Sequence, residues 1–275
     1  MDWKKAKAIL ILIFFILNIV LSVTLYQNLK VDEISSRTIT NTGRILEQNN
    51  ILIEGPIPKY VGRDYILTYE ENILDQTKIA AVLLEDNYEK TGINSYKNGS
   101  MSLVFTSACG FEFHDTGENK KIYSDSKSGV DIYLKELSKK LDIPFTQFKQ
   151  DGYYADYKTG NGTTVVYKGK YKGYTVFDNH IDVEISKSSI KSLKYQYKSP
   201  INIESRDINV VPVYEILITK MTAYPGISIQ IVDMGFKGYT KVGMETKTLY
   251  EGLSWRIKTF EGREFYFKAS NGEEM

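Results

Sequence analysis

Phe-Asp-Asn-His-Ile-Asp-Val-Glu-Ile-Ser, residues 177–186, is the stretch that indicates most clearly how this chain folds. From Ile181 to Ser186 apolar and polar side chains alternate strictly, which is the period of a β-strand with one buried face. Asp178 and Asn179, just before this run, are residues typical of turns. We therefore predict a turn at Asp178-Asn179 followed by a half-buried strand, as in an antiparallel hairpin.

The same texture extends over the C-terminal half of the chain, residues 151–275. Aromatic and β-branched runs are separated there by turn residues, as antiparallel hairpins require. The predicted turns are Asn161-Gly162, Gly173, Asp178-Asn179, Gly235, Gly243, Gly252 and Gly262. One stretch, 207–221, has helical spacing, and Pro212 predicts that this helix starts near Val211. We expect a β-rich antiparallel domain with one helix.

Residues 30–150 mix helical and strand patterns. Apolar residues at helical spacing predict helices at 35–49, 72–84 and 130–141. Short apolar runs bounded by turn residues predict strands at 51–53, 65–69, 103–105 and 111–113. The chain is therefore expected to be α+β, with an α+β domain at 30–150, a β-rich domain at 151–275 and a boundary near Gln150.

The N-terminus differs in character from the rest of the chain. No charged side chain occurs in residues 8–29, and about 20 apolar residues are enough to cross the hydrocarbon core of a bilayer. Three lysines, Lys4, Lys5 and Lys7, predict that residues 1–7 stay in the cytoplasm. A cleavable signal peptide is the alternative, but the run is long and no small-x-small site follows it. The sequence thus predicts a transmembrane anchor with the remainder outside the cytoplasm.

Composition limits the partners that the body of the protein can have. The chain has 35 Lys and Arg against 34 Asp and Glu, a formal net charge of +1. A protein so close to neutral lacks the basic surface that nucleic-acid binding needs, so no nucleic-acid partner is expected. With a single cysteine, Cys109, the chain has no internal disulfide, and we expect hydrophobic burial to hold the fold together.

Residues capable of catalysis or metal binding are few and isolated. His114 and His180 have no second ligand at i+3 or i+4, and Cys109 lies in an apolar setting typical of a buried structural thiol. Neither a nucleophile elbow nor a phosphate-binding glycine loop occurs. We therefore predict no catalytic residue, no metal site and no cofactor.

Two groups of side chains leave a second class of function open. Paired carboxylates are the kind of groups that a glycosidase uses, and clustered tyrosines can stack on a sugar ring. The residues concerned are Glu70 with Glu71, Asp182 with Glu184, and Tyr153, Tyr154 and Tyr157. A solvated strand face and a small β-rich core explain the same residues without a ligand. The alternative function is an anchored envelope enzyme or a glycan-binding module.

Several segments resemble the YycI family, and together they extend over the whole chain. The start, Met1-Asp2-Trp3-Lys4-Lys5-Ala6-Lys7, and the later Leu17-Asn18-Ile19 are similar to the beginning of the family's anchor. The further similarities are the Ile-rich strand and prolines of 51–58, a turn at Phe177-Asp178-Asn179-His180, Gly238-Tyr239, Trp255, Tyr266 and Asn271-Gly272. The register of the last strand stays open, because Ser254 and Lys268 differ from the family's pattern.

The resemblance implies regulation and not catalysis. YycI proteins lie in the membrane of Gram-positive bacteria beside a YycH-type membrane protein, and the pair modulates the sensor histidine kinase WalK, also called YycG, of the cell-wall two-component system. The family's ectodomain has an α+β part followed by a β-rich part. The resemblance brings no catalytic or cofactor-binding residues. Expected partners are therefore the YycH-type protein, the kinase and the lipid bilayer.

One polar side chain in the predicted anchor suggests where a partner helix binds. Asn18 lies near the middle of residues 8–29, where an unpaired amide is unfavourable in lipid. Phe14, Leu21 and Leu25 follow on the same helix face at i−4, i+3 and i+7. We hypothesise that these four residues contact a partner's transmembrane helix. The alternative is that Asn18 bonds to its own backbone.

Overall fold

The computed structural model describes residues 3–31, 34–70, 72–85, 87–124, 126–155, 162–238 and 250–275. Five α-helices occur in these ranges: α1 Trp3–Val31, α2 Ser36–Gln48, α3 Gln76–Leu84, α4 Lys127–Leu141 and α5 Val213–Thr219. Single 3-10 turns cover Phe145–Gln147 and Met221–Ala223. Within the described ranges, no helix combines the length and the apolar character that crossing a membrane requires.

The described strands number fourteen and belong to one sheet. In chain order they are β1 Leu52–Ile53, β2 Arg63–Glu70, β3 Glu89–Lys90, β4 Ser95–Asn98, β5 Met101–Ser107, β6 Gly110–Asp115, β7 Phe148–Ala155, β8 Thr163–Tyr171, β9 Tyr174–Ser186, β10 Ser189–Gln196, β11 Ser199–Asn209, β12 Ser228–Gly238, β13 Tyr250–Thr259 and β14 Glu264–Lys268. The architecture is a mixed α/β fold built on a large sheet.

Strand order in the sheet does not follow chain order. The main path runs β11-β2-β13-β12-β9-β10-β6-β5-β4-β3, with β14 paired to β13 and the β7-β8 hairpin paired to β9. Most neighbours are antiparallel, but β12 lies parallel to both β1 and β9. The parallel contact with β9 is short, joining Gly235 to Thr175 and Phe236 to Val176. It connects the two groups of antiparallel strands.

Two hydrophobic cores lie against this sheet. The first contains Leu83 of α3 and Leu134 of α4, which cover β5, β6, β9 and β10. The second contains Leu46 of α2 and Leu217 of α5, which pack with Trp255 and other residues of β2, β12, β13 and β14. The predicted domain boundary near Gln150 stays a prediction.

Local sequence explains where the helices begin and end. The hydroxyl oxygen of Ser126 accepts a hydrogen bond from the Gly129 amide and so caps the start of α4. This helix ends at Asp142, which has a left-handed backbone conformation, just before Pro144. The Asp75 carboxylate caps α3 in the same way by accepting from the Lys78 amide. The helices predicted at 72–84 and 130–141 are confirmed, although α3 begins at Gln76 and α4 at Lys127.

Most predicted strands are confirmed, whereas several predicted turns are wrong. The strands expected at 65–69, 103–105, 111–113 and 181–186 lie within β2, β5, β6 and β9, and the strand expected at 51–53 is β1, which covers only Leu52–Ile53. The predicted turns Gly173 and Gly262 have positive φ angles of 90° and 83° and do connect strands. Asp178-Asn179, Gly235 and Gly252, however, lie inside β9, β12 and β13. Asn161 and Gly243 lie outside the described residues.

The helix predicted over 207–221 is shorter than expected. Residues 207–209 belong to β11, and α5 begins at Val213, directly after Pro212. Asn209 pairs with Arg63 in the antiparallel pairing of β11 with β2. Backbone groups near residue 209 therefore have their hydrogen-bond partners in a neighbouring strand and not in a helix. Pro212 predicted that the helix starts near Val211, and α5 begins two residues later, at Val213.

Candidate functional site

The predicted partner-binding face of α1 is only partly described. Phe14 and Leu21 are each 67% exposed. The side-chain amide of Asn18 donates a hydrogen bond of 2.8 Å to the Phe14 carbonyl oxygen, which is the backbone contact anticipated as the alternative. This bond uses one of the two N–H groups of the amide. The side chains of Leu25, Lys4 and Lys5 lie outside the described residues, and Lys7 is exposed.

The isolated cysteine and histidines occupy separate environments. Cys109 is buried in the turn between β5 and β6, where its sulfur accepts a hydrogen bond of 2.8 Å from Gln196 Nε2 and lies 3.6 Å from the Ser107 hydroxyl. His114 lies 3.6 Å from a Glu112 carboxylate oxygen on the exposed side of β6. Burial lowers the pKa of His180 despite the Asp182 carboxylate 3.9 Å away. In the described part of the chain no group of three or more potential metal ligands occurs.

The groups proposed for a sugar-binding or glycosidase site are not assembled as expected. Tyr154 lies beside Lys258, whose ammonium is 5.2 Å from the ring centroid. Tyr153 is half-exposed, while Tyr157 and Glu71 lie outside the described residues. Asp182 lies beside His180 on β9, with a carboxylate oxygen 3.9 Å from the imidazole Nε2 atom, and its described side-chain contact is with this ring and not with the second carboxylate that a glycosidase site would require.

A buried charged cluster occupies one face of β13. Arg256 is 1% exposed, and its guanidinium makes five hydrogen bonds: two each to Asp151 and Asp233 and one to Glu264, at 2.7–3.1 Å. Lys258, also 1% exposed, donates to the Asp151 carboxylate at 2.8 Å and to its backbone oxygen at 2.9 Å. All five N–H donors of the guanidinium are thus satisfied.

Electrostatics explains why these charges can be buried. Burial alone would raise the pKa of Asp151, but the hydrogen bonds and charges of Arg256 and Lys258 outweigh it and lower that pKa to about 2. The same carboxylates raise the pKa of Arg256 although burial opposes them. Removing one member of such a cluster leaves an uncompensated buried charge, which is strongly unfavourable. The cluster therefore ties β7 to β12, β13 and β14.

Sequence reasoning missed this cluster. Ser254, Arg256 and Lys258 alternate with apolar residues, and such a pattern ordinarily indicates a solvent-exposed strand face. The face is covered because β7 brings Asp151 across it, 105 positions away in the chain. No local signal in the sequence indicates that contact.

A cavity of about 830 Å³ lies where β9 and β12 separate beyond their short parallel contact. Its walls come from β2, β9, β11, β12, β13 and the C-terminal residues 268–275. The lining residues are Ile66, Asp178, Arg206, Lys237, Gly238, Tyr250, Lys268, Ser270, Asn271, Glu274 and Met275.

Asp178 holds the cavity wall together. Its carboxylate accepts a hydrogen bond of 2.8 Å from Lys237 Nζ and one of 3.0 Å from the Gly238 amide. Burial alone would raise the pKa of Asp178, but Lys237 outweighs it and the pKa lies below its usual value. A Cβ added at Gly238 would lie 3.0 Å from Asp178 Oδ2, so the absence of a side chain there leaves room for the ion pair.

A second carboxyl group lies directly behind this wall. Glu251 is 1% exposed, and the same Cβ position on Gly238 lies 3.6 Å from its Oε1 atom. Neither carboxylate oxygen has a hydrogen-bond partner among the described residues, and the nearest cation is the ammonium of Lys198 at 3.6 Å. Burial raises the pKa of Glu251 to about 8. The Glu251 carboxyl group is removed from water and receives no hydrogen bond from the described residues in exchange, so its charged form is unfavourable at this position.

The fold and these clusters define a mixed α/β protein that buries a cluster of paired charges and has a separate cavity lined by both polar and apolar residues. The chain belongs to the YycI family: the family model described as "YycI protein" matches residues 29–270. Membership in this family makes the chain a regulatory protein associated with the YycG/WalK system. A comparison with curated protein sequences found no match.

Two solved structures are similar to this chain at low sequence identity. An uncharacterized protein from Eubacterium rectale is 9% identical, with a TM-score of 0.45, over 82% of this chain and 90% of that one. YycH from Bacillus subtilis is 13% identical, with a TM-score of 0.49, over 74% of this chain and 52% of that one. This chain thus matches about half the length of YycH.

Proposed function

We propose that this protein is a non-enzymatic, single-pass membrane protein that modulates a YycG/WalK-type sensor histidine kinase together with a YycH-type partner. In this proposal residues 1–7 lie in the cytoplasm of a Gram-positive bacterium, the uncharged run 8–29 crosses the membrane as the anchor predicted from the sequence, and the sheet with its two cores lies outside the cell. Family membership supports the regulatory role.

The observation that carries the anchoring part of the proposal is the exposure of α1. From Ile9 to Val23, where the side chains are described, its large apolar side chains are about half exposed or more on every face of the helix. A helix that is apolar on all sides requires an apolar environment, because water would surround its side chains at a large cost in free energy. The exposed residues are Ile9, Leu10, Ile11, Leu12, Ile13, Phe14, Phe15, Ile16, Leu17, Ile19, Val20, Leu21 and Val23. A lipid bilayer provides that environment.

The contact with the kinase is assigned to the Asn18 face of α1. The bond to the Phe14 carbonyl leaves the amide able to pair across a helix interface as well, since a side-chain amide has two N–H groups and an oxygen. An interhelical hydrogen bond in lipid contributes about 0.6 to 2 kcal/mol. Phe14, Leu21 and Leu25 flank Asn18 and supply the apolar part of the interface.

The decisive experiment exchanges the helix and its polar residue separately. Residues 8–29 are replaced by an unrelated transmembrane helix, and Asn18→Leu is made in the native helix. We expect both variants to insert and accumulate normally but to lose regulation of kinase-dependent transcription and co-purification of the kinase.

Thr24→Val is the matched control. The Thr24 hydroxyl also bonds to a backbone carbonyl, that of Val20, but it lies on a different face of α1 from Asn18. This variant should regulate like the parent. If the helix exchange and Asn18→Leu also regulate like the parent, α1 is a passive tether and the contact lies in the ectodomain.

A further inference from the structure

We propose that the cavity between β9 and β12 is a binding site for a neutral saccharide. The site is independent of the proposed contact between α1 and the kinase, because it lies in the folded sheet region. Its size is suitable, since small-molecule sites commonly enclose about 300–1,000 Å³ and this cavity has about 830 Å³.

The charges around the cavity argue for a neutral ligand. Each cation among the described lining residues faces a carboxylate: Lys237 lies 2.8 Å from Asp178, Arg206 lies 3.2 Å from Asp64, and Lys268 lies 2.7 Å from Glu273. A strongly anionic ligand would have to compete with these carboxylates for every cation. The wall therefore offers many hydrogen-bonding groups with little net charge.

The chemistry of the lining matches hydroxyl groups. Asp178, Glu274 and Asn271 provide planar acceptor oxygens, while Arg206 and Asn271 provide planar N–H donors. Vicinal hydroxyls both donate and accept, so they can pair with such mixed groups without bringing a charge of their own. Each paired charge can keep its ionic partner while its remaining lone pairs or N–H groups contact the ligand.

An exposed tyrosine completes the site. Tyr250 lines the cavity at the beginning of β13 and is 42% exposed. The apolar C–H face of a sugar ring packs against an aromatic face, and the phenol hydroxyl remains in contact with water. Ile66 and Met275 extend the apolar part of the wall. This combination of one aromatic surface with planar polar groups defines the proposed ligand class.

The test measures binding to the full-length protein in lipid nanodiscs, with tetra-N-acetylchitotetraose, maltotetraose and inorganic phosphate titrated separately. We expect saturable binding of at least one tetrasaccharide and none of phosphate. Tyr250→Ala should weaken that binding about tenfold. Tyr123→Ala is the matched control, because Tyr123 is 88% exposed and does not line the cavity.

The absence of saturable binding of both tetrasaccharides up to about 10 mM would overturn the proposal. Saturable binding of phosphate would also overturn it, since the ligand would then be an anion. Equal weakening by Tyr250→Ala and Tyr123→Ala would show that the sugar binds elsewhere. None of these titrations involves the kinase, so their failure leaves the regulatory proposal unaffected.

Discussion

At the residue scale, Glu251 is the side chain whose environment differs most from what its chemistry prefers. It lies opposite Gly238 on β12 and Leu67 on β2, at the end of the second core. The Lys198 ammonium lies 3.6 Å from Glu251 and also 5.4 Å from the centre of the Tyr69 ring. Lys198 opposes the effect of burial, but at 3.6 Å it makes no hydrogen bond, so burial dominates.

This environment predicts that Glu251 makes the fold less stable as pH rises. Burial raises the pKa of Glu251 to about 8 in the folded state, whereas the unfolded carboxyl has its ordinary value of about 4.5. Between these pH values the folded state holds a proton that the unfolded state has released, so the free energy of unfolding falls as pH increases. Glu251→Gln removes this effect and should raise the melting temperature at pH 8.5. Thermal unfolding at pH 5.5 and 8.5 measures it.

Glu204→Gln is the control for that experiment, because Glu204 lies on the exposed strand β11. It should leave the difference in melting temperature between the two pH values unchanged. Lower stability of Glu251→Gln than the parent at both pH values would mean that the pair with Lys198 stabilises the fold.

At the scale of secondary-structure elements, the short parallel contact between β9 and β12 depends on a glycine. Gly235 was expected at a turn, yet it lies in the middle of β12 opposite Thr175. A Cβ added at Gly235 would lie 2.3 Å from the Thr175 carbonyl oxygen and 2.8 Å from the Phe177 ring. Gly235 is therefore required by the close approach of two strands and not by a turn.

Gly235→Ala should destabilise the protein by about 1–3 kcal/mol, because the added methyl group meets backbone and a buried ring that cannot move away easily. Gly43→Ala is the matched control. Gly43 lies inside α2 with no atom within 4 Å of an added Cβ, and alanine should stabilise that helix by up to about 1 kcal/mol. Chemical denaturation of both variants measures the two effects. Unchanged stability of Gly235→Ala would contradict the close approach of β9 and β12.

At the scale of the whole molecule, the two hydrophobic cores share one sheet. β9 and β10 contribute to the first core, while β9 also continues through Val176 into the second. The pairing of β6 with β10 and of β2 with β13 joins chain segments from both halves of the sequence. Because the same strands contribute to both cores, the loss of one core disrupts strands that the other core needs. We expect the two cores to unfold together.

We therefore expect Phe113→Ala, a change in the first core, to shift unfolding reported from the second. Trp255 is fully buried in the second core, and the other tryptophan, Trp3, is 80% exposed, so the fluorescence change on unfolding comes mainly from Trp255. Loss of the Phe113 ring should cost about 3–5 kcal/mol. The Trp255 transition and the far-UV circular dichroism transition should both move to lower denaturant and coincide.

An unmoved Trp255 transition, with a separate step in circular dichroism, would contradict cooperative unfolding. Leu52→Ala is a suitable control, since Leu52 is 56% exposed and its removal creates no buried cavity. That variant should leave both transitions close to those of the parent.

The sequence alone determined the elements whose signals are local. Helices α2, α3 and α4 follow from apolar spacing and caps, and the strands at 65–69 and 181–186 follow from short apolar or alternating runs. The uncharged run at 8–29 and the family resemblance were visible in the same way. Such features depend on residues only a few positions apart, so the chain displays them before it folds.

The order of the strands in the sheet and the burial of particular polar residues depend on contacts between distant parts of the chain. Gly235 and Asp178 resemble turn residues locally, but their roles depend on the approach of β12 to β9, across about 60 positions of the chain. Arg256 resembles a solvent-exposed residue until Asp151 covers it from 105 positions away. Long-range contacts of this kind are decided by burial and charge in the assembled sheet, and no local pattern of the sequence encodes them.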